Sequence, residues 1–241
     1  MSTTTIAAAP PRQVGLASPV RPVWAIRNLI GFLRDKEDTA KVIGFFRAVD
    51  GQQPERNFER FCAAPAGREA LARKETLADV LTDWEKLRAL PEGSLGRAYL
   101  HFMESEGITV AGLKAASDEA TRTYQQLEPA RVKYRDRLRD MHDLWHVVTG
   151  YGRETLGEIC LLAFSGGQTR QRGFTSMAWI WALKEQLVHP GRRVISAMRE
   201  GYRRGAKAEW LVAEDWEDLL ALPLDEVRRA LNISSPRKYL A

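Results

Sequence analysis

Between Met141 and Glu158 the chain reads MHDLWHVVTGYGRETLGE, and this stretch restricts the fold more than any other. His142 and His146 stand four residues apart, which on an α-helix places both imidazoles on one face, a turn from each other. Asp143, three residues before His146, leans toward the same point. Gly150 and Gly152 then interrupt the helix, and Glu158 follows His146 with eleven residues between them. A second helix restarting after the glycines brings that carboxylate alongside the imidazoles. The stretch therefore asks for a helix, a break and a second helix, with a metal site between the two.

The rest of the chain supplies helices to pack around them. No segment alternates apolar and polar residues between hairpin turns, whereas helical spacing recurs from Val23 onward. Helices are expected over 23–34, from a cap at Asp38 to Val49, and after Pro54 and Pro65 in their first turns. One amphipathic helix is expected over 76–90, followed by a turn and helix over 90–103. The polar region 105–128 reads as shorter helical pieces. Pro129 opens a long helix, 130–148, and a second runs over 154–164 until Gly166 and Gly167 end it. A helix over 174–188, one started by Pro190 and one started by Pro223 complete the chain. The fold class is all-α, a single multi-helix domain over 23–241 with roughly nine to twelve helices of ordinary length. Residues 1–22, rich in Ser, Thr, Ala and Pro, read as a flexible tail. Arg12, Arg21 and Arg27 precede the first acidic residue, Asp35, which also suits an organelle transit peptide. Four prolines, at 10, 11, 19 and 22, would break the amphipathic helix that import needs, so the tail reading is preferred.

Composition narrows the partners. Apolar runs such as Met177–Leu183 are far shorter than the roughly 20 residues of a membrane-spanning helix. Cys62 and Cys160 are far apart and read as reduced thiols. A net charge of +5 favours anionic surfaces, yet no nucleic-acid-binding pattern is present. Anionic lipid, or a phosphorylated or carboxylated small molecule, is the expected partner. The segment with Arg192, Arg193, Arg199, Arg203, Arg204 and Lys207 reads as a solvated helix face. Its functional alternative is a headgroup patch beside the apolar helix carrying Trp179 and Trp181.

Two imidazoles and two carboxylates suit zinc, iron, cobalt or manganese better than magnesium or calcium. Three or four protein ligands leave a position open for water or substrate, as catalytic sites require. The same residues also make a plain hydrogen-bond network, and residue types alone do not separate the two. The pattern differs from the zinc-protease helix, because Asp143 is shorter than the glutamate found there and fits a ligand or orienting role better than a general base. Trp145 suits a site wall or core. Cys160 points away from Glu158, and His101 and His189 have no partner at metal spacing.

With its HDLWH, the eleven-residue gap and Glu158, the stretch resembles the signature of the Coq-four family of coenzyme Q (ubiquinone) biosynthesis proteins. LPEGSLGRAY (Leu90–Tyr99) and GYRRGAKAEWLVAEDWEDLLALPLDEVRRALNI (Gly201–Ile233) are similar to two further family stretches. One departure is Gly205-Ala206-Lys207, followed by Glu209-Trp210, where the family more often has Gly-Lys and then Lys-Pro. The resemblance implies an all-α fold and a metal, usually zinc, held by His142, Asp143, His146 and Glu158. It implies removal of the C1 carboxyl group from a polyprenylated 4-hydroxybenzoate-derived ring, with or without oxidation at that carbon. Asp143 is the residue expected to handle the proton, and the apolar faces 159–164 and 177–183 are expected to house the isoprenoid tail. It further implies peripheral membrane attachment among other ubiquinone-biosynthesis enzymes, at the cytoplasmic face of a bacterial inner membrane. On the transit-peptide reading this becomes the matrix side of the mitochondrial inner membrane, and a homo-oligomer is compatible with either. The alternative is a non-catalytic scaffold that binds polyprenyl lipids. A phosphohydrolase of the HD type would need an upstream histidine, and only His101 stands there.

Overall fold

Proline sets the start of four helices, where its missing N–H costs nothing and its fixed φ suits the first turn. These are α1 (Pro22–Arg34), α3 (Gln53–Ala63), α4 (Pro65–Ala72) and α8 (Pro129–Thr149). The computed structural model describes residues 15–34, 39–113 and 127–240; Asp38 and most of the tail lie outside them. The other elements are α2 (Thr39–Val49), α5 (Leu77–Thr82), α6 (Trp84–Ala89), α7 (Leu95–Ser105), α9 (Thr155–Thr169), α10 (Arg172–Val188) and α11 (Val194–Lys207). A 3-10 turn (Leu211–Ala213), α12 (Trp216–Leu219) and α13 (Leu224–Ala230) follow. The architecture is all-α: among the described residues extended pairing is limited to isolated bridges, such as that between Ser94 and Pro223. Residues 16–21 lie against the α2–α3 turn, where the N–H groups of Leu16, Ser18 and Arg21 donate to Glu55, Gly51 and Ala48.

Helix boundaries differ in three places from those read in the sequence, the first being the helix expected from Pro190, which begins only at Val194 after a turn. The amphipathic stretch 76–90 is two short helices, broken at Asp83 (φ −82°, ψ 74°). Thr82 turns its hydroxyl back onto the Ala78 carbonyl, and the Asp83 side chain accepts the Lys86 N–H as a new N-cap. Short polar side chains thus compete with the backbone ladder despite the apolar spacing. Gly166 and Gly167, in contrast, do not end α9. The helix continues to Thr169 and stops at Arg170, in the left-handed conformation at φ 55°.

The glycines serve the contact between α9 and α11. A Cβ at Gly205 would stand 2.1 Å from the Phe164 carbonyl oxygen, one at Gly167 2.4 Å from that of Tyr202, and one at Gly201 2.6 Å from that of Cys160. The two backbones meet without side chains between them. Around this seam lie three apolar clusters. The largest joins α3–α8 to the C-terminal segment and includes Leu95, Met103, Leu144, Val148, Phe164 and Trp216. A second, between α9, α10 and α11, holds Ile159, Ala163, Ala178 and Ala182. A third seats α1 and α2 on α10 through Phe32, Phe45 and Met177. Ile159, Leu161, Ala163 and Phe164 are fully buried in these clusters, so the apolar face expected to house an isoprenoid tail is filled by the protein itself.

Asp50, at the end of α2, is buried and accepts the Gly173 N–H at 2.7 Å, capping α10 from another element. Burial raises its pKa from 3.8 to about 6, against the lowering effect of that hydrogen bond and of Arg135 and Arg172.

Gly205→Ala is expected to lower the unfolding free energy by about 1–3 kcal/mol, because the new methyl meets rigid backbone; urea denaturation measures it. For Asp50 the folded pKa lies above the unfolded value, so the folded state binds the proton more tightly and gains stability as pH falls from 6 to 3.8. Asp50→Asn keeps the acceptor for Gly173 and removes the charge. It should stabilise by up to about 3 kcal/mol at pH 8 and by nothing below pH 4, read from denaturation at both pH values.

Candidate metal centre

The site begins at the last two turns of α8. Met141, Leu144, Trp145 and Val148 face the core and fix the rotation of the helix, which leaves His142, Asp143 and His146 on the side toward α9. One ligand atom from each of these three lies within 4.8 Å of the others. The imidazoles meet edge to face, with centroids 4.9 Å apart. Gly150, at φ 75°, ends the helix in the left-handed region that glycine enters without strain. The chain then passes Tyr151 to Glu154, whose side chain caps α9 by accepting the Gly157 N–H. Glu158, one turn into α9, directs one carboxylate oxygen to each imidazole: Oε1 is 3.4 Å from His146 Nε2 and Oε2 is 3.8 Å from His142 Nε2.

His146 decides what the cluster can hold. Its Nδ1 is 3.0 Å from the Tyr151 carbonyl, which can only accept, so Nδ1 carries the proton. In the neutral ring Nε2 is then a lone pair. It is buried, makes no hydrogen bond and faces a carboxylate oxygen. Two lone-pair donors facing each other repel unless a cation lies between them. Burial and neighbouring His146 lower the His142 pKa, against the attraction of Asp143 and Glu158, so the neutral donor form dominates near neutral pH. For Glu158, burial acts upward, but the positive charge that the neighbouring imidazoles take up on protonation, with Arg153, carries its pKa below the ordinary carboxylate range. Nitrogen lone pairs and carboxylates converging in this way fit a divalent metal.

The side chain of His146 is fully buried while that of His142 is 46% exposed, so the cluster opens to solvent on one side. Phe102 of α7 stacks on the His146 ring at 5.6 Å and 22°. Trp145 is core, edge-on to Phe164, so Phe102 provides the aromatic contact that Trp145 was considered for. Cys160 faces away, and burial pushes its thiol up to about 12. His101 is exposed and His189 pairs with Glu185; neither joins the cluster. Arg153 acts on both His142 and Glu158 and is exposed. A cleft of about 360 Å³ among the described residues runs along α8, from Ala70 and Leu77 past Val132 to Asp140, one turn before Asp143.

The end of α8 is held from the C-terminal segment. Arg228 donates to the Val147 and Val148 carbonyls, both at 3.0 Å. Arg204 donates to the Thr149 carbonyl at 2.8 Å and to that of Ser234 at 2.9 Å. The Tyr239 hydroxyl accepts the Gly152 N–H at 2.9 Å. Arg204 is buried and so does not belong to the exposed basic face assigned to residues 192–207; helix rotation turns it inward with Gly201 and Gly205.

Residues 35–237 match the family described as coenzyme Q (ubiquinone) biosynthesis protein Coq4. The chain belongs to this family. Among its curated relatives is the mitochondrial ubiquinone biosynthesis protein coq4 of Talaromyces stipitatus, 28% identical over 175 residues, covering 72% of this chain and 58% of that protein. That of Botryotinia fuckeliana is 28% identical over 180 residues, covering 72% and 59%. The chain therefore spans just under three fifths of these relatives' length. A crystal structure from Nostoc punctiforme, provisionally described as a ubiquinone biosynthesis protein, shares the fold. Its TM-score is 0.62 at 22% identity, over 90% of this chain and 100% of that one.

Arg204→Met should leave the Thr149 and Ser234 carbonyls without this donor and cost about 1–3 kcal/mol of stability. By loosening the Tyr151 carbonyl that orients His146, it should also weaken metal binding by about 10–100-fold. Thermal unfolding and competitive chelator titration measure the two effects.

Proposed function

We propose that this Coq4-family chain is a metal-dependent enzyme of ubiquinone biosynthesis. In this reading it removes the C1 carboxyl group from a polyprenylated 4-hydroxybenzoate-derived ring. The observation that carries it is the buried, unpartnered Nε2 of His146 facing Glu158. His142, Asp143, His146 and Glu158 would hold the ion, with zinc favoured by the nitrogen and carboxylate donors and iron, cobalt or manganese sharing the preference. Such an ion supplies Lewis acidity toward a carboxylate or phenolate when bound.

The chain's own residues then have separate tasks. Arg153 adds positive charge where an anionic ring substituent would arrive. Tyr151 fixes the His146 tautomer, and Phe102 covers that ring and excludes water from it. As the C1–carboxyl bond breaks, carbon dioxide leaves and its electron pair stays on C1, which takes a proton. In this step Asp143, beside His142 on α8, would stay off the ion and give the proton. The cleft along α8, apolar at Leu77, Leu127 and Val132 but charged at Lys133, Asp136 and Arg137, ends at Asp140, three residues before Asp143. The membrane surface and the other enzymes of the pathway complete the reading as partners, at the inner membrane of a bacterium or a mitochondrion.

His142→Ala and Glu158→Ala should each abolish bound metal, measured by elemental analysis, with helix content unchanged by circular dichroism. Product formation should fall by at least about 100-fold, read by mass spectrometry of prenylated ring compounds in cells lacking the native protein. Full ubiquinone production by both variants would sink the enzymatic reading. Loss of complex assembly on metal removal, with no turnover by isolated protein, would favour the scaffold.

A further inference from the structure

The second feature of the molecule lies away from the cluster, on α1 and α10. Large apolar side chains are left in solvent on both helices. Val23, Ile26 and Ile30 of α1 are 83%, 59% and 44% exposed, and Leu183 and Leu187 of α10 are 50% and 82% exposed. On α1 the exposed residues follow i, i+3, i+7 spacing, and on α10 Trp179, Leu183 and Leu187 follow i, i+4, i+8. Each set is a single stripe along its helix.

The two stripes share one surface. Phe32 of α1 stacks on Trp181 of α10, with ring centroids 6.3 Å apart, and Leu29 and Ile180 belong to the same cluster. At 100° per residue, the surface of α1 passes from Phe32 and Leu29 at this seam to Ile26 and Ile30. That of α10 passes from Trp181 and Ile180 to Leu187 and Leu183. α2 covers the opposite side of the seam, where Gly44 lies against Asn28 and Phe46 against Phe174. The exposed stripes therefore flank the open side together.

Charge decides what covers them. No acidic residue occurs from Gly15 to Arg34. Arg27 and Lys184 are exposed and have no acidic partner among the described residues. Glu185, the acidic residue of α10, is already engaged by His189 and Arg192 and is largely covered. A second copy docked by a twofold axis would set these cations against each other. An anionic bilayer neutralises them and takes up the apolar stripes, with exposed Trp24 and Trp179 suited to the headgroup level. No helix among the described residues is long and apolar enough to cross a membrane, which leaves attachment by a face.

We propose that α1 and α10 form the bilayer-docking face of this protein, with anionic phospholipid as its partner. The face also stands at the same end as the metal cluster. α9 and α10 run antiparallel, and Ile159 and Ala163 share one cluster with Ala182 and Ala178. This register sets Leu183 level with Glu158, so docking fixes how far the cluster stands from the lipid surface. The inference rests on the membrane-surface part of the proposed function but not on its chemistry.

Flotation of the full chain with phosphatidylcholine vesicles, with and without phosphatidylglycerol, tests it. The protein should float with the anionic vesicles and be released by salt. The double variant Ile30→Asp, Leu187→Asp should bind about tenfold or more weakly, with unchanged circular dichroism and unchanged metal content. Brominated lipid should quench tryptophan fluorescence of the unaltered protein, an independent reading that requires no variant. Failure of the unaltered protein to float, or a double variant that floats normally but changes oligomeric state, would overturn the proposal. Loss of activity in His142→Ala with flotation intact separates the chemistry from the docking.

Discussion

The hydrogen bond from His146 Nδ1 to the Tyr151 carbonyl is the constraint on which the site depends. It reaches across the helix end, from the last turn of α8 to the residue that follows Gly150, and it fixes the ring in rotation and in tautomer. Only then does Nε2 face Glu158 as a lone pair. A donor to Nε2 would satisfy the ring and leave no place for a cation. The buried ring, stacked on Phe102, has no such donor.

That hydrogen bond in turn requires the end of α8 to stay in place. The terminal carbonyls of a helix lack intrahelical partners, and here Arg228 and Arg204 supply them from α13 and α11. Arg204 reaches inward because Gly201 and Gly205 let α11 approach the backbone of α9. The segment GYRRGAK thus has a structural task. Its glycines bring together the helix that carries Glu158 and the helix whose arginine braces the end of α8. A basic segment far along the chain is coupled to the histidines through backbone contacts rather than charge.

The local parts of this arrangement were legible in the sequence. Helical spacing placed His142, Asp143 and His146 on one face, and prolines marked helix starts at 54, 65 and 129. The all-α class followed from the same periodicity. Less legible were features whose cause lies in another element. Gly166 and Gly167 read as a stop because glycine disfavours helix, yet close packing against α11 outweighs that preference of about 1 kcal/mol per residue. Arg204 read as part of a solvated basic face, since nothing local distinguishes it from Arg203. Phe102 and Arg153 meet the cluster through tertiary contacts and left no signal of spacing. Asp83 carried a signal that the apolar pattern masked: an Asp after a Thr, three residues before Lys86, is itself a helix start.

Charge balance constrains the cluster beyond its geometry. With both imidazoles neutral, the four side chains bring two carboxyl groups together in a partly buried place, and Arg153 is the cation acting on both His142 and Glu158. Protonating His146 would satisfy Glu158 alone, and the crowding that lowers the His142 pKa opposes a second imidazolium beside the first. A divalent ion would answer the imidazoles and the carboxylates together, because it accepts the nitrogen lone pairs that a proton on either ring would consume. The half-exposed edge of His142 and the exposed Arg153 leave the cluster open to solvent on one side.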